Sequence, residues 1–310
     1  MKFEIELAPR QKSGLLLRNP VMLAAGPAGY GVEYSKSAEI QRLGAIVSAS
    51  VTLRPHAGQA QPLLLESTSG LLSAFDRPGP GVQKVLRSYA ETWASWQMPV
   101  IVNLAGTSLN DFAELAARLD GAPGVAALEL NLACPNPDAD GAPFGSDPAL
   151  VARLITTVRR KSMLPIIAKL VPYAGELLPI ALAAAEAGVD ALTLIHSLPG
   201  LSIDLATRRP VLFGGLSGPA IKPLALRIFY DVARELRPAY PHIPLIGCGG
   251  IASARDALEF ILAGASAIQV GTLNLVNPRA GVEILAGIEA FLQAEGIEDI
   301  ADIVGAALAK

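Results

Sequence analysis

AEAGVDALTL (185–194) and LAGASAIQV (262–270) share one plan: the end of a helix, a single Gly, and an apolar strand two or three residues later. Gly188 and Gly264 read as left-handed helix caps, a backbone conformation that strains any residue carrying a Cβ. Outward from these units, β-rich apolar runs recur at PVMLAAG (20–26), AIVSASV (45–51), PVIVNLAG (99–106), AALELNLAC (126–134), PIIAKL (165–170), ALTLIHS (191–197), PLIGCGG (244–250) and AIQVGT (267–272). Segments with helical spacing of apolar residues lie between them, at 111–119, 147–160, 175–187, 222–236, 253–262 and 280–292. Strands apolar on both faces imply a parallel sheet covered by helices, and eight such units favour closure into a (β/α)8 TIM barrel over an open doubly wound sheet.

Connections that follow strands are long at 53–81, 135–146 and 198–218, whereas those that precede strands are short. The excess collects on the rim at the carboxyl ends of the strands, where barrels assemble chemistry. The 310 residues, 51% hydrophobic, suffice for one domain spanning 1–310. With 25 basic and 28 acidic side chains, the net charge of −3 predicts no broad electropositive face, which excludes nucleic acid as the expected partner. The opening MKFEIELAPRQKSG lacks a signal-type apolar run, and no later uncharged stretch reaches the about 18 residues of a membrane span, so a cytoplasmic protein without membrane contact is expected. Two cysteines, Cys134 and Cys248, are too few for a disulfide framework or a four-cysteine cluster, and no metal is expected.

At the rim, GCGGI (247–251) and VGT (270–272) end the last two strands, where barrels build phosphate sites from backbone N–H groups. Each alone is equally compatible with a tight turn; together they favour phosphate. Lys169 sits inside an apolar strand, where an ammonium is costly unless it meets an anion or an electron-rich ligand. A place beside a bound cofactor fits best, with a solvated end or a Schiff-base amine as alternatives. NLACPNPDADGAPFGSD (131–147) forms a lid-like loop ending in an Asp147 cap and Pro148. Alone, Cys134 is a small core hydrophobe; between Asn131 and Asn136, which can pair with a polar ring, it is a candidate base or nucleophile. Asn103, His196 and Ser197 close strands, either as backbone caps or as site residues, while His56 and His242 read as loop residues.

NPVMLAAG (19–26), ELNLACPN (129–136), AKL (168–170), GGLSGPAIKPLAL (214–226), IGCGGI (246–251) and QVGT (269–272) together resemble the class I dihydroorotate dehydrogenases over nearly the whole chain. The resemblance implies flavin mononucleotide (FMN) bounded by Ala25, Gly26, Ser50, Asn103, Asn131 and Lys169, with Gly218 approaching by its backbone. Gly249, Gly250, Gly271 and Thr272 would hold its phosphate. Cys134 would be the base, taking a proton from C5 of dihydroorotate while hydride leaves C6 for the flavin. Ser73, Asn131, Asn136, His196 and Ser197 would face the substrate ring. The resemblance further implies a homodimer, and in some relatives an electron-transfer flavoprotein subunit that delivers to NAD.

The chain departs from that pattern at six positions. Ala49 stands where the family has a lysine, Ser73 and His196 where it has asparagines, and Ala133 where it has a serine; Asp76 and Arg77 replace small or apolar residues. Two of the usual ring-binding asparagines remain. Four readings follow: dihydroorotate oxidation proper, oxidation of another cyclic substrate by the same flavin chemistry, a lyase with a Lys169 Schiff base, and a non-catalytic flavin-binding barrel.

Overall fold

The structure is a computed structural model that describes residues 1–34, 39–75, 78–172 and 176–308. Its strands, in chain order, are β1 (Ile5–Glu6), β2 (Leu16–Leu17), β3 (Val21–Leu23), β4 (Ala45–Val47), β5 (Leu64–Ser67), β6 (Gly70–Ala74), β7 (Val100–Leu104), β8 (Val125–Asn131), β9 (Ile166–Lys169), β10 (Ala191–Leu194), β11 (Leu198–Asp204), β12 (Arg209–Ser217), β13 (Leu245–Cys248) and β14 (Ala267–Val270). The helices are α1 (Val82–Ala94), α2 (Leu109–Leu119), α3 (Pro148–Arg159), α4 (Leu177–Glu186), α5 (Lys222–Ala239), α6 (Ala254–Leu262), α7 (Leu273–Val276) and α8 (Ala280–Glu295).

Among the described residues, β3, β4, β7, β8, β9, β10, β13 and β14 pair in parallel and in chain order, and β14 returns to β3 to close the barrel. These are the eight runs that the apolar pattern picks out. Each is short and almost wholly buried because helices cover its outer face while neighbouring strands fill the inner one. One contiguous apolar cluster joins the barrel to its helices, with Phe229 of α5 set edge-on to Phe260 of α6 at 5.5 Å.

Both helix–Gly–strand units fold as read. Gly188 (φ +86°) and Gly264 (φ +113°) follow α4 and α6. In each, the Gly N–H and the next N–H bond back to carbonyls at the helix end: Gly188 to Ala185 and Val189 to Ala184, Gly264 to Ile261 and Ala265 to Phe260. Asp147 caps α3 by accepting from Ala149 and Leu150 N–H, with Pro148 in the first helical position. Asp147→Ala is expected to cost about 1 kcal/mol, read as a lower urea midpoint at unchanged slope. The expected helix at 175–187 begins outside the described residues at Gly175 and is seen as α4.

The long connections hold more order than their composition suggests. β5 and β6 from 53–81, and β11 and β12 from 198–218, form one antiparallel sheet in the order β11-β12-β6-β5. The two hairpins join by pairing Gly214 with Ala74 through to Ser217 with Leu71, over a small core of Leu72, Ala74 and Leu212. Each hairpin is local, but the pairing of β12 with β6 joins partners about 140 residues apart, a contact that no periodicity within either stretch reveals. The helix α1, also outside the expected set, buries Val82, Val85, Ala90 and Trp93 on one face.

Candidate active site

A cavity of about 190 Å³ opens at the carboxyl ends of the barrel strands, beside the antiparallel sheet. Ala25, Gly26, Ser50, Asn103, Asn131, Lys169, Gly218, Gly249, Gly250, Gly271 and Thr272 all line it. So do Ser73, His196 and Ser197. Phe75, Gly215 and Ser217 join the lining without having been singled out in the sequence, and so does Cys248, for which the sequence offered no site role. Ser73 and Phe75 arrive on and after β6, and Gly215 and Ser217 on β12, so the unforeseen sheet supplies one wall.

Cys134 and Asn136 do not line the cavity. Cys134 is buried just past β8, with its N–H on the Asn131 carbonyl and its own carbonyl accepting from Phe144 N–H at 3.0 Å. Burial pushes its thiol up to about 12, and a hydrogen bond from the Gly106 backbone only partly opposes this. Asn136 folds onto its own loop: its Oδ1 accepts from Asp138 N–H at 3.1 Å, capping a short 3-10 turn. The departures at Asp76 and Arg77 lie outside the described residues.

The cavity floor is a connected polar network. Lys169 Nζ donates to Gln269 Oε1 at 2.9 Å, and Gln269 Nε2 donates to Glu129 Oε2 at 2.7 Å. Thr193 Oγ1 donates to the same Glu129 oxygen at 3.2 Å, while Asn103 Nδ2 donates to Glu129 Oε1 at 2.8 Å. Ser50 Oγ then donates to Asn103 Oδ1 at 2.6 Å. Side chains from four other barrel strands, β7, β9, β10 and β14, thus converge on Glu129 of β8, which is 0% exposed. Glu129, Thr193 and Gln269 escape a rim-centred reading because they lie within strands; the available signal was a carboxylate and an amide inside the apolar runs AALELNLAC and AIQV.

Burial works against the Lys169 ammonium, but Cys248 and Glu129 outweigh it and leave its pKa raised. The charged amine is a poor nucleophile, which argues against the Schiff-base reading. His196 is held the other way: burial first, then Lys169, lower it to about 3. Its Nδ1 lies 3.0 Å from Ser197 Oγ, and its ring faces Phe75 at 6.5 Å. The imidazole is neutral throughout the ordinary pH range, so flavin reduction is expected to show no inflection from His196 between pH 5 and 8. An inflection near 6.5 that vanishes in His196→Asn would contradict this.

The glycines test whether a phosphate-bearing cofactor fits. Gly250 (φ +73°) abuts the start of α5, where a Cβ would lie 2.5–2.6 Å from Lys222 atoms, so close backbone packing requires it. Gly271 differs: a Cβ there would meet only Ala24 Cβ, at 3.5 Å, and would otherwise occupy the cavity. The protein's own packing does not demand that glycine, whereas a ligand seated against it does. Gly271→Ala is therefore expected to leave the apoprotein's melting temperature unchanged while weakening flavin binding about tenfold, roughly 1.4 kcal/mol, measured by fluorescence titration.

A family model for dihydroorotate dehydrogenase matches residues 10–292. The chain belongs to the dihydroorotate dehydrogenase family. It is 48% identical to the "Dihydroorotate dehydrogenase B (NAD(+)), catalytic subunit" of Desulforudis audaxviator over 298 residues, covering 95% of each chain. Proteins of the same name from Desulforamulus reducens and Geotalea daltonii are 46% and 45% identical, over 93% and 95% of this chain and 94% and 96% of theirs. Among the described residues of this dehydrogenase family member, no helix is long and apolar enough to cross a membrane. Nor does any group of three or more His, Cys, Asp or Glu among them converge to hold a metal ion.

Proposed function

We propose that this chain is a single FMN-binding barrel domain that oxidises dihydroorotate to orotate. The observation that carries the reading is that the eleven residues which the resemblance assigns to the cofactor, from seven barrel strands and the sheet, all line one cavity with a buried cation in its floor. Gly249, Gly250, Gly271 and Thr272 would hold the phosphate, and Lys169, Asn103 and Ser50 the flavin ring. When bound, the flavin supplies the two-electron acceptor for hydride leaving C6 of the substrate. Cys134 takes the C5 proton, which requires the 131–147 loop to carry its thiol from Gly106 towards the cavity. Asn131, with Ser73, His196 and Ser197, orients the ring, and the same loop movement would bring Asn136 to it. The relatives are named catalytic subunits; for this chain, a partner subunit would carry electrons onward, and the chain itself would form a homodimer in the cytoplasm.

A second reading keeps the flavin and the base and changes the ring. Ser73 and His196 both line the cavity, and by the resemblance they stand where the family has asparagines. A site built for a polar ring discriminates through its paired groups, so these replacements bear on substrate choice. The test is anaerobic mixing of the purified protein with dihydroorotate while following the visible flavin bands. Rapid bleaching supports dihydroorotate; bleaching only by other reduced rings supports the second reading, and a protein that cannot be loaded with flavin refutes both.

A further inference from the structure

A second cavity, of about 390 Å³, lies where the 53–81 excursion leaves the barrel and returns to it. Its walls carry Arg54 from the outgoing stem, Lys84 and Arg87 from α1 and Arg118 from α2, against one acid, Glu114. Arg118 pairs with Glu114 at 2.5 Å; Arg54, Lys84 and Arg87 form no ion pair among the described residues. In a chain with a net charge of −3, such a concentration of cations is a local feature and not a reflection of composition. Lys84 and Arg87, three residues apart, share a helix face. The first turn of α1 adds to the positive field, since no side chain caps it and no acid lies in it.

The cavity is also preformed. His56 and Gly79 exchange backbone hydrogen bonds at 2.9 Å, and Val82 N–H donates to the Thr52 carbonyl at 2.8 Å, so the two stems are tied together. Gly81 (φ +78°) lets them touch, for a Cβ there would lie 2.7 Å from Pro55 N. Rigid walls lower the ordering cost of binding.

We infer that this cavity binds a small molecule carrying two or more adjacent phosphates, bridged between Arg54 on the stem and Lys84, Arg87 and Arg118 on the helices. With Arg118 partly offset by Glu114, the remaining cations Arg54, Lys84 and Arg87 still repel each other around one hollow, and a compact polyanion relieves more of that repulsion than a single phosphate. Guanidinium forks match phosphate oxygens two at a time. The concave, local shape suits a small ligand over a nucleic acid backbone, which needs an extended basic track. The same excursion delivers Ser73 and Phe75 to the first cavity, so the two sites share one structural element.

The test is calorimetric titration of the flavin-loaded protein with pyrophosphate, ATP and orthophosphate. Pyrophosphate and ATP should bind, orthophosphate at least about tenfold more weakly, and the affinities should fall as salt rises from about 50 to about 200 mM. Lys84→Glu and Arg87→Glu, both at exposed positions, should each weaken binding about tenfold or more without lowering the melting temperature. Equal affinity for the two ligands would mean that the phosphate chain alone is read; tighter ATP binding would mean that the nucleoside also touches the wall. Absence of heat with both ligands, or binding undiminished in both variants, would overturn the inference.

Discussion

Glu129→Ala is expected to destabilise the folded protein by about 3–5 kcal/mol, the range found when one partner of a buried charge pair is removed, here a carboxylate and an ammonium bridged by Gln269. The carboxylate accepts from Asn103, Thr193 and Gln269, and Gln269 in turn holds Lys169. Deleting it leaves a buried ammonium without its anion and strands three polar groups in an apolar barrel, where water does not replace the lost bonds. Glu129→Gln should cost less, since its amide keeps an acceptor for one or two of those donors. Both variants should also lose flavin affinity, because Asn103 and Lys169 face the cavity from the same network. Urea denaturation with and without FMN measures the two effects separately. A Glu129→Ala protein within about 1 kcal/mol of the parent would mean that the network contributes little beyond packing.

The barrel was legible in the sequence because its elements are local and periodic: each strand is a short apolar run, and each cap, at Gly188 and Gly264 after a helix or at Asp147 before one, sits beside the helix end that it closes. The cavity lining was legible for two reasons: Asn103, Lys169 and the glycines after β13 and β14 stand at strand ends that can be counted, while Ala25, Gly26, Ser50, Asn131 and Gly218 were named through the family resemblance, and all of them line the cavity. The sheet of β5, β6, β11 and β12 was not, because its stability comes from pairing between distant hairpins, and Phe75, Gly215 and Ser217 went unread with it. The floor network was missed from the opposite direction. Glu129, Thr193 and Gln269 are polar side chains buried inside strands, and only the barrel's closure shows that they point to one centre. Cys134 and Asn136 show a third limit. Their spacing suggests one site, but the loop's own hydrogen bonds turn Asn136 onto Asp138 and bury the thiol beside Gly106.

Cys134→Ala is expected to slow flavin reduction by dihydroorotate about 10²–10⁴-fold, the usual contribution of a positioned base, while leaving the flavin bound. The variant removes the group that receives the C5 proton but none of the eleven residues assigned to the cofactor, so loss of rate with retained yellow colour separates base from binding. The pH dependence follows from the same residue. Burial holds the thiol up to about 12, and thiolate is the deprotonated form, so its fraction grows about tenfold for each pH unit below that value. Reduction by the parent enzyme should therefore accelerate as pH rises from about 6 to about 9, bending at whatever lower pKa the thiol acquires once the loop has moved it next to bound substrate. Cys134→Ser, with a far weaker acid at the same place, should be slow across that range and lack the bend. A parent profile that is flat from pH 6 to 9, or a Cys134→Ala variant that bleaches at the parent's rate, would remove Cys134 from the chemistry and turn attention to a base among the residues that line the cavity in this structure.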